Sequence, residues 1–100
     1  MGKIFNFIEN ILMKKPQELS PEQQKMLAAI GKQIKKLRKA KQMSYEMMAK
    51  EIGIARNTYN LLEQGKINFQ LCTLQAILKY HSIQISQFFK SLESNKDSVK

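Results

Sequence analysis

One hundred residues with a formal charge of +9 allow one small domain and leave little room for a buried catalytic cavity. An apolar fraction of 43%, with only four Gly and two Pro, favours a folded helical core over a sheet. Cys72 and His81 each stand alone, which excludes an intramolecular disulfide and the about four ligands of a zinc site, and no apolar run reaches the roughly 20 residues of a membrane span.

The charge surplus suits nucleic acid or an anionic membrane surface, or simply keeps the chain in solution. Residues 1–15 form an amphipathic segment in which Ile4, Ile8, Ile11 and Leu12 share a helical face, with Phe5 at its edge. Lys3 and the short apolar run are weak features of a signal peptide, but Glu9 and Asn10 interrupt them and no small-residue cleavage site follows. Met1-Gly2 is a weak start for myristoylation, since Asn6 stands where Ser or Thr belongs. Two readings of this arm stand. It folds back on the domain or a second protein subunit, or it lies on a membrane surface. The short apolar face and the single basic cluster, Lys14-Lys15, favour the first. Pro16 to Leu19 is a linker, so residues 1–19 are expected to be an arm and residues 20–92 the domain.

Ser20-Pro21-Glu22-Gln23 announces a helix, with Ser as N-cap, Pro at the first helical position and Gln three residues after the cap. Leu27, Ile30, Ile34 and Leu37 form one apolar seam, so the helix is expected to run to about Lys41. Gly31 weakens it midway by ~1 kcal/mol relative to Ala. Lys32, Lys35, Lys36, Lys39 and Lys41 crowd its later turns, as a solvated face near a helix C-terminus, as a source of long-range attraction to DNA, or as both.

Tyr45 to Gln64 reads as two short amphipathic helices and a tight turn. Ser44 is an N-cap, and Met48, Ala49 and Ile52 form an apolar stripe. Gly53 ends the first helix, because Gly enters a left-handed turn without steric cost. In the second helix Thr58, Tyr59 and Leu62 are read as inward, opposite Arg56, Asn57 and Asn60.

This stretch resembles the lambda-repressor-like (Cro/cI, xenobiotic-response-element type) helix-turn-helix family. Ala49 stands where that family brings its two helices close, Gly53 follows in the turn, Ile54 and Leu62 fall on its buried positions, and Glu63-Gln64-Gly65-Lys66 is similar to its E-x-G-K ending. The likeness runs from Ile30 to Phe89. Tyr59 departs from the usual Val or Ile, Tyr45 from a phosphate-contacting Gln, and Gln42 from the Gly that commonly ends the first helix, so that a strained residue or another geometry is expected there. The resemblance implies an all-α, five-helix bundle of the lambda-repressor-like DNA-binding type, here with an N-terminal amphipathic extension. It also implies that Arg38 pairs with Glu63 and that both are structural.

Beyond Gly65-Lys66, the connection Ile67-Asn68-Phe69-Gln70 offers amides and Asn68 to phosphates. Cys72 or Thr73 is expected to begin a fourth helix, with Leu74, Ile77, Leu78 and Leu71 packing inward and Cys72 as a small buried hydrophobe. His81-Ser82 ends it. A fifth helix carries Phe88, Phe89 and Leu92, and residues 93–100 lack an apolar face and read as a frayed, flexible tail.

A duplex admits a helix in its major groove, where each base pair shows a distinct donor and acceptor pattern. The second helix of the motif, about residues 55–63, would be presented there. Arg56 suits guanine O6 and N7, or else a phosphate, and Asn57 suits adenine N6 and N7. Asn60 meets a base edge or a phosphate, and Leu61 touches a thymine methyl or turns aside. Ser44, Tyr45, Thr58, Lys66 and Asn68 are expected on phosphates, Thr58 despite its inward reading. Binding is expected from a homodimer joined through Phe88, Phe89 and Leu92 or through the Ile4–Leu12 arm. A sequence-specific transcriptional regulator acting in the cytoplasm is the reading adopted. A DNA-binding antitoxin or partner-binding subunit, gripping a protein through residues 4–12, is the alternative. No cofactor and no membrane partner are expected, and an enzyme is rejected for want of a clustered nucleophile, base or metal set.

Overall fold

The computed structural model describes residues 19–98, and within them the chain is all-α: α1 (Pro21–Ala40), α2 (Tyr45–Ile52), α3 (Arg56–Glu63), α4 (Leu71–Tyr80) and α5 (Ile85–Ser98). The amphipathic arm with Ile4, Ile8, Ile11 and Leu12 lies outside the described residues, and so does Pro16.

Local chemistry sets the helix boundaries. The Ser20 hydroxyl accepts the Gln23 amide at 3.1 Å, while Gln23 Oε1 accepts the Ser20 amide at 3.0 Å, so two otherwise orphaned donors are satisfied where α1 starts. At its other end the Gln42 amide donates to the Lys39 carbonyl at 2.9 Å, and Gln42 itself takes φ 57°. A side chain in this left-handed region costs roughly 1–2 kcal/mol, so the turn where the family commonly has Gly is held by tertiary packing against that cost. Ser82 repeats the device after α4, with φ 58°.

α3 is the wedge of the fold, packing chiefly between α1 and α2, while α5 closes against α1 and α4 and α2 also meets α4. The core joins Ile30 and Ile34 of α1, Met48 and Ala49 of α2, Tyr59 and Leu62 of α3, Leu74, Ile77 and Leu78 of α4, and Phe88 of α5. Gly31 lets α1 and α3 approach closely. A Cβ there would lie 2.4 Å from the Leu62 carbonyl oxygen and 2.5 Å from that of Glu63.

Several expectations need correction. Thr58 is exposed, not inward, because Tyr59, Leu62 and Glu63 set the buried sector and Thr58 lies about 100° round from Tyr59. Cys72 is exposed inside the first turn of α4, on the side away from Leu74, Ile77 and Leu78. Leu71 has the spacing of that buried face but opens the helix and is 64% exposed. Phe88 is 2% exposed, so it belongs to the core and cannot form an outer surface with Phe89, which is 37% exposed. The two rings meet edge to face at 5.7 Å between centroids. The backbone of α5 is helical to Ser98, past residue 93 where the fraying was expected.

His81 follows α4 half-buried, its ring edge-on to Tyr80 at 5.3 Å, and its Nε2 is buried with no hydrogen-bond partner. Burial holds its pKa below the ordinary value, and the nearby Lys41 charge adds to this. An unfolded His titrates near pH 6.5. Below that pH the unfolded chain therefore binds more protons than the folded one, and stability that is full above it is lost as pH falls towards the folded value. The melting temperature is expected to drop between pH 7 and pH 5, and His81→Gln should flatten that slope.

Candidate nucleic-acid interface

The turn between α2 and α3 determines what α3 can present. Ser44 caps α2 by accepting the Met47 amide at 3.1 Å. Gly53 ends it at φ 89°, with both its own amide and that of Ile54 donating to the Ala49 carbonyl at 2.9 Å. The small, 1% exposed Ala49 side chain lets α2 and α3 close on each other. α3 then starts at Arg56 with Ala55 as N-cap and no side-chain cap, leaving its first amides available to an external acceptor.

Across α3, Tyr59 and Leu62 are fully buried, while Arg56, Asn57, Thr58 and Leu61 are exposed and Asn60 is half-buried. Gln64, exposed just after the helix, continues the row of Asn57 and Leu61 at i+7 and i+3. It was absent from the sequence expectation although that spacing is legible in the chain. At the same end Gly65 takes φ 71° and sits so close to α1 that a Cβ would be 2.6 Å from the Ala28 Cα. Exposed Lys66 and Asn68 follow in the connection to α4. Ser44 is exposed, and half-buried Tyr45 packs its side chain against the core, so the sequence-expected residues lie on the motif's two helices and the loop after them.

Arg38 and Glu63 hold this arrangement from behind. Arg38 Nε donates to Glu63 Oε2 at 2.7 Å and Nη2 to Oε1 at 3.0 Å, while Nη1 donates to the Met43 carbonyl at 2.7 Å. One guanidinium thus ties α1 to the C-terminal turn of α3 and to the loop leading into α2. The hydrogen bond to Glu63 raises the Arg38 pKa, against a smaller opposing effect of burial. The Tyr59 hydroxyl is buried beside them without a well-formed hydrogen bond, and burial, then the Glu63 carboxylate, pushes its pKa up. The motif is therefore tied together from behind, and the polar edge of α3 faces outward.

Two helices joined by a Gly turn, with the second braced at its rear and polar at its front, define a DNA-binding helix-turn-helix domain. A helix-turn-helix family model (HTH_3) matches residues 34–88, and the chain belongs to this Cro/cI-type, lambda-repressor-like family of non-enzymatic DNA-binding transcriptional regulators. It is similar to the control protein C.MunI of Mycoplasma sp, with 38% identity over 64 residues, which is 63% of this chain and 86% of that protein. It is also similar to the HTH-type transcriptional regulator PuuR of Escherichia coli (strain K12) and of Shigella flexneri, each 29% identical over 65 residues. The match covers 65% of this chain but only 35% of each PuuR. No described helix is long and apolar enough to cross a membrane.

Proposed function

We propose that the protein recognises a specific duplex sequence by seating α3 in the major groove. The observation that carries this reading is the split of α3 itself, with Tyr59 and Leu62 fully buried and Arg56 and Asn57 exposed at its leading end. Arg56 lies outside the ion pair found among the described residues, so its guanidinium is available to guanine O6 and N7. Asn57 reads adenine, Asn60 meets a base edge or a phosphate, and Leu61 offers a methyl contact to thymine. Ser44, Tyr45, Thr58, Lys66 and Asn68 position the domain on phosphates, together with the first amides of α2 and α3.

One module of this size makes few contacts, so the functional species is a homodimer on half-sites about 34 Å, or ~10 base pairs, apart. With Phe88 in the core and Leu92 half-buried against it, Phe89 is what remains exposed of the expected α5 surface, and the arm, residues 4–12, is the other candidate. Residues 20–92 act as the folded unit, and the regulator works inside the cell.

Binding of wild type, Arg56→Ala and Asn57→Ala to a duplex selected from a random library, and to random duplex, at two salt concentrations tests the reading. Each substitution should cost ~1–3 kcal/mol on the selected duplex, with binding to random duplex and the folded state retained. Equal loss on both duplexes, with a salt slope shallower by about one, would make these residues phosphate contacts.

A further inference from the structure

We infer that the lysine flank of α1 is a second DNA-backbone surface, engaging phosphates of the same duplex outside the site read by α3. Lys32, Lys35, Lys36 and Lys39 recur at i, i+3, i+4 and i+7, so they share one face, and all are exposed. None enters the ion pair found among the described residues, and Glu22, in the first turn, is the only acidic residue of α1. The row therefore carries unbalanced positive charge over about 10 Å of helix, at 1.5 Å per residue.

Its position rests on two close approaches. Gly31 meets the Leu62 and Glu63 carbonyls at the end of α3, and Ala28 meets Gly65 in the turn that follows. Both contacts place the α3 end of the interface against the side of α1 where Lys32, Lys35 and Lys39 follow at one to three turns or less. The flank begins at the residue after Gly31, on the helix that holds the end of α3, and exposed Lys66 follows Gly65 in the turn packed on Ala28. A duplex carries one phosphate charge per ~1.7 Å of axis, so a backbone continuing past that end supplies the complementary row. An uncompensated face of this kind, on the helix packed against the end of the reading helix, makes contacts that need both the extended DNA and these particular lysines.

The inference rests on the proposed seating of α3, and the experiment separates the two. The full chain and a variant carrying Lys32→Gln, Lys35→Gln, Lys36→Gln and Lys39→Gln are titrated against the selected duplex, trimmed flush to the site or extended by about one helical turn (~10 base pairs) at each end, and against random duplex. Gln keeps helix propensity close to that of Lys, and circular dichroism checks the fold. Wild type is expected to bind the extended duplex more tightly and with a steeper salt slope, by about 0.9 for each added phosphate contact. The variant should gain nothing from extension, whatever its affinity for the flush duplex, while Lys→Arg at the same positions restores the gain. An equal gain from extension in variant and wild type would overturn the inference. Equal weakening of the variant on both lengths would overturn it too, reducing the lysines to general attraction. Wild type binding selected and random duplexes alike would instead overturn the seating of α3, and this inference with it.

Discussion

Arg38→Ala is expected to lose about 3–5 kcal/mol of unfolding free energy, the usual consequence of breaking one side of a buried ion pair. The Glu63 side chain is only 4% exposed, and it would lose both of its guanidinium hydrogen bonds without solvent to replace them. The Met43 carbonyl would lose its donor as well, loosening the loop that leads to the Ser44 cap. Arg38→Lys should rescue only part of this, because a single ammonium cannot reproduce the planar fork that meets both carboxylate oxygens. Replacing both partners by apolar residues should be much milder than either single change, since no buried charge is then stranded. Urea unfolding followed by circular dichroism measures all of these. The sequence preference of the surviving folded protein should be unchanged, as neither residue lies on the exposed edge of α3. Full stability in Arg38→Ala would contradict the structural role of the pair.

Gly31→Ala sets two effects of opposite sign against each other. Helix propensity favours Ala by about 1 kcal/mol, which on that ground alone would stabilise α1. The new Cβ, however, would sit 2.4 Å from the Leu62 oxygen and 2.5 Å from the Glu63 oxygen, both of them backbone atoms that cannot rotate aside. Overpacking typically costs about 1–3 kcal/mol and more where backbone must move, so the net result should be destabilisation by at least about 1–2 kcal/mol. Moving α1 away from α3 would also stretch the Arg38–Glu63 pair, so Gly31→Ala and Arg38→Ala should be non-additive in a double-mutant cycle. A stabilised Gly31→Ala protein would show that the two helices have room to part.

The same glycine marks the boundary of what could be read in advance. Its cost to α1 was legible as a propensity, but its purpose was not, since the carbonyls it admits belong to residues more than thirty positions away. Gln42 was legible as an anomaly through the family resemblance, and the structure gives it φ 57°; Ser82 takes the matching φ 58° with no comparable signal in the chain. Gln64 completes an exposed row with Asn57 and Leu61, visible from spacing once the buried side of α3 is known.

The sequence by itself determined the all-α fold, the Ser20 and Ser44 caps, the Gly53 turn and the helix-turn-helix motif, because caps, turn residues and 3.6-residue periodicity act over a few neighbouring positions. Tertiary structure decided which members of each apolar series are actually covered. Phe88 is buried and Phe89 is left half in solvent, Leu71 stays exposed in spite of its spacing, and Thr58 and Cys72 face outward. Periodicity gives the direction in which a side chain leaves its helix, whereas burial also requires a second helix to stand in that direction, and that depends on how α1, α3 and α5 cross.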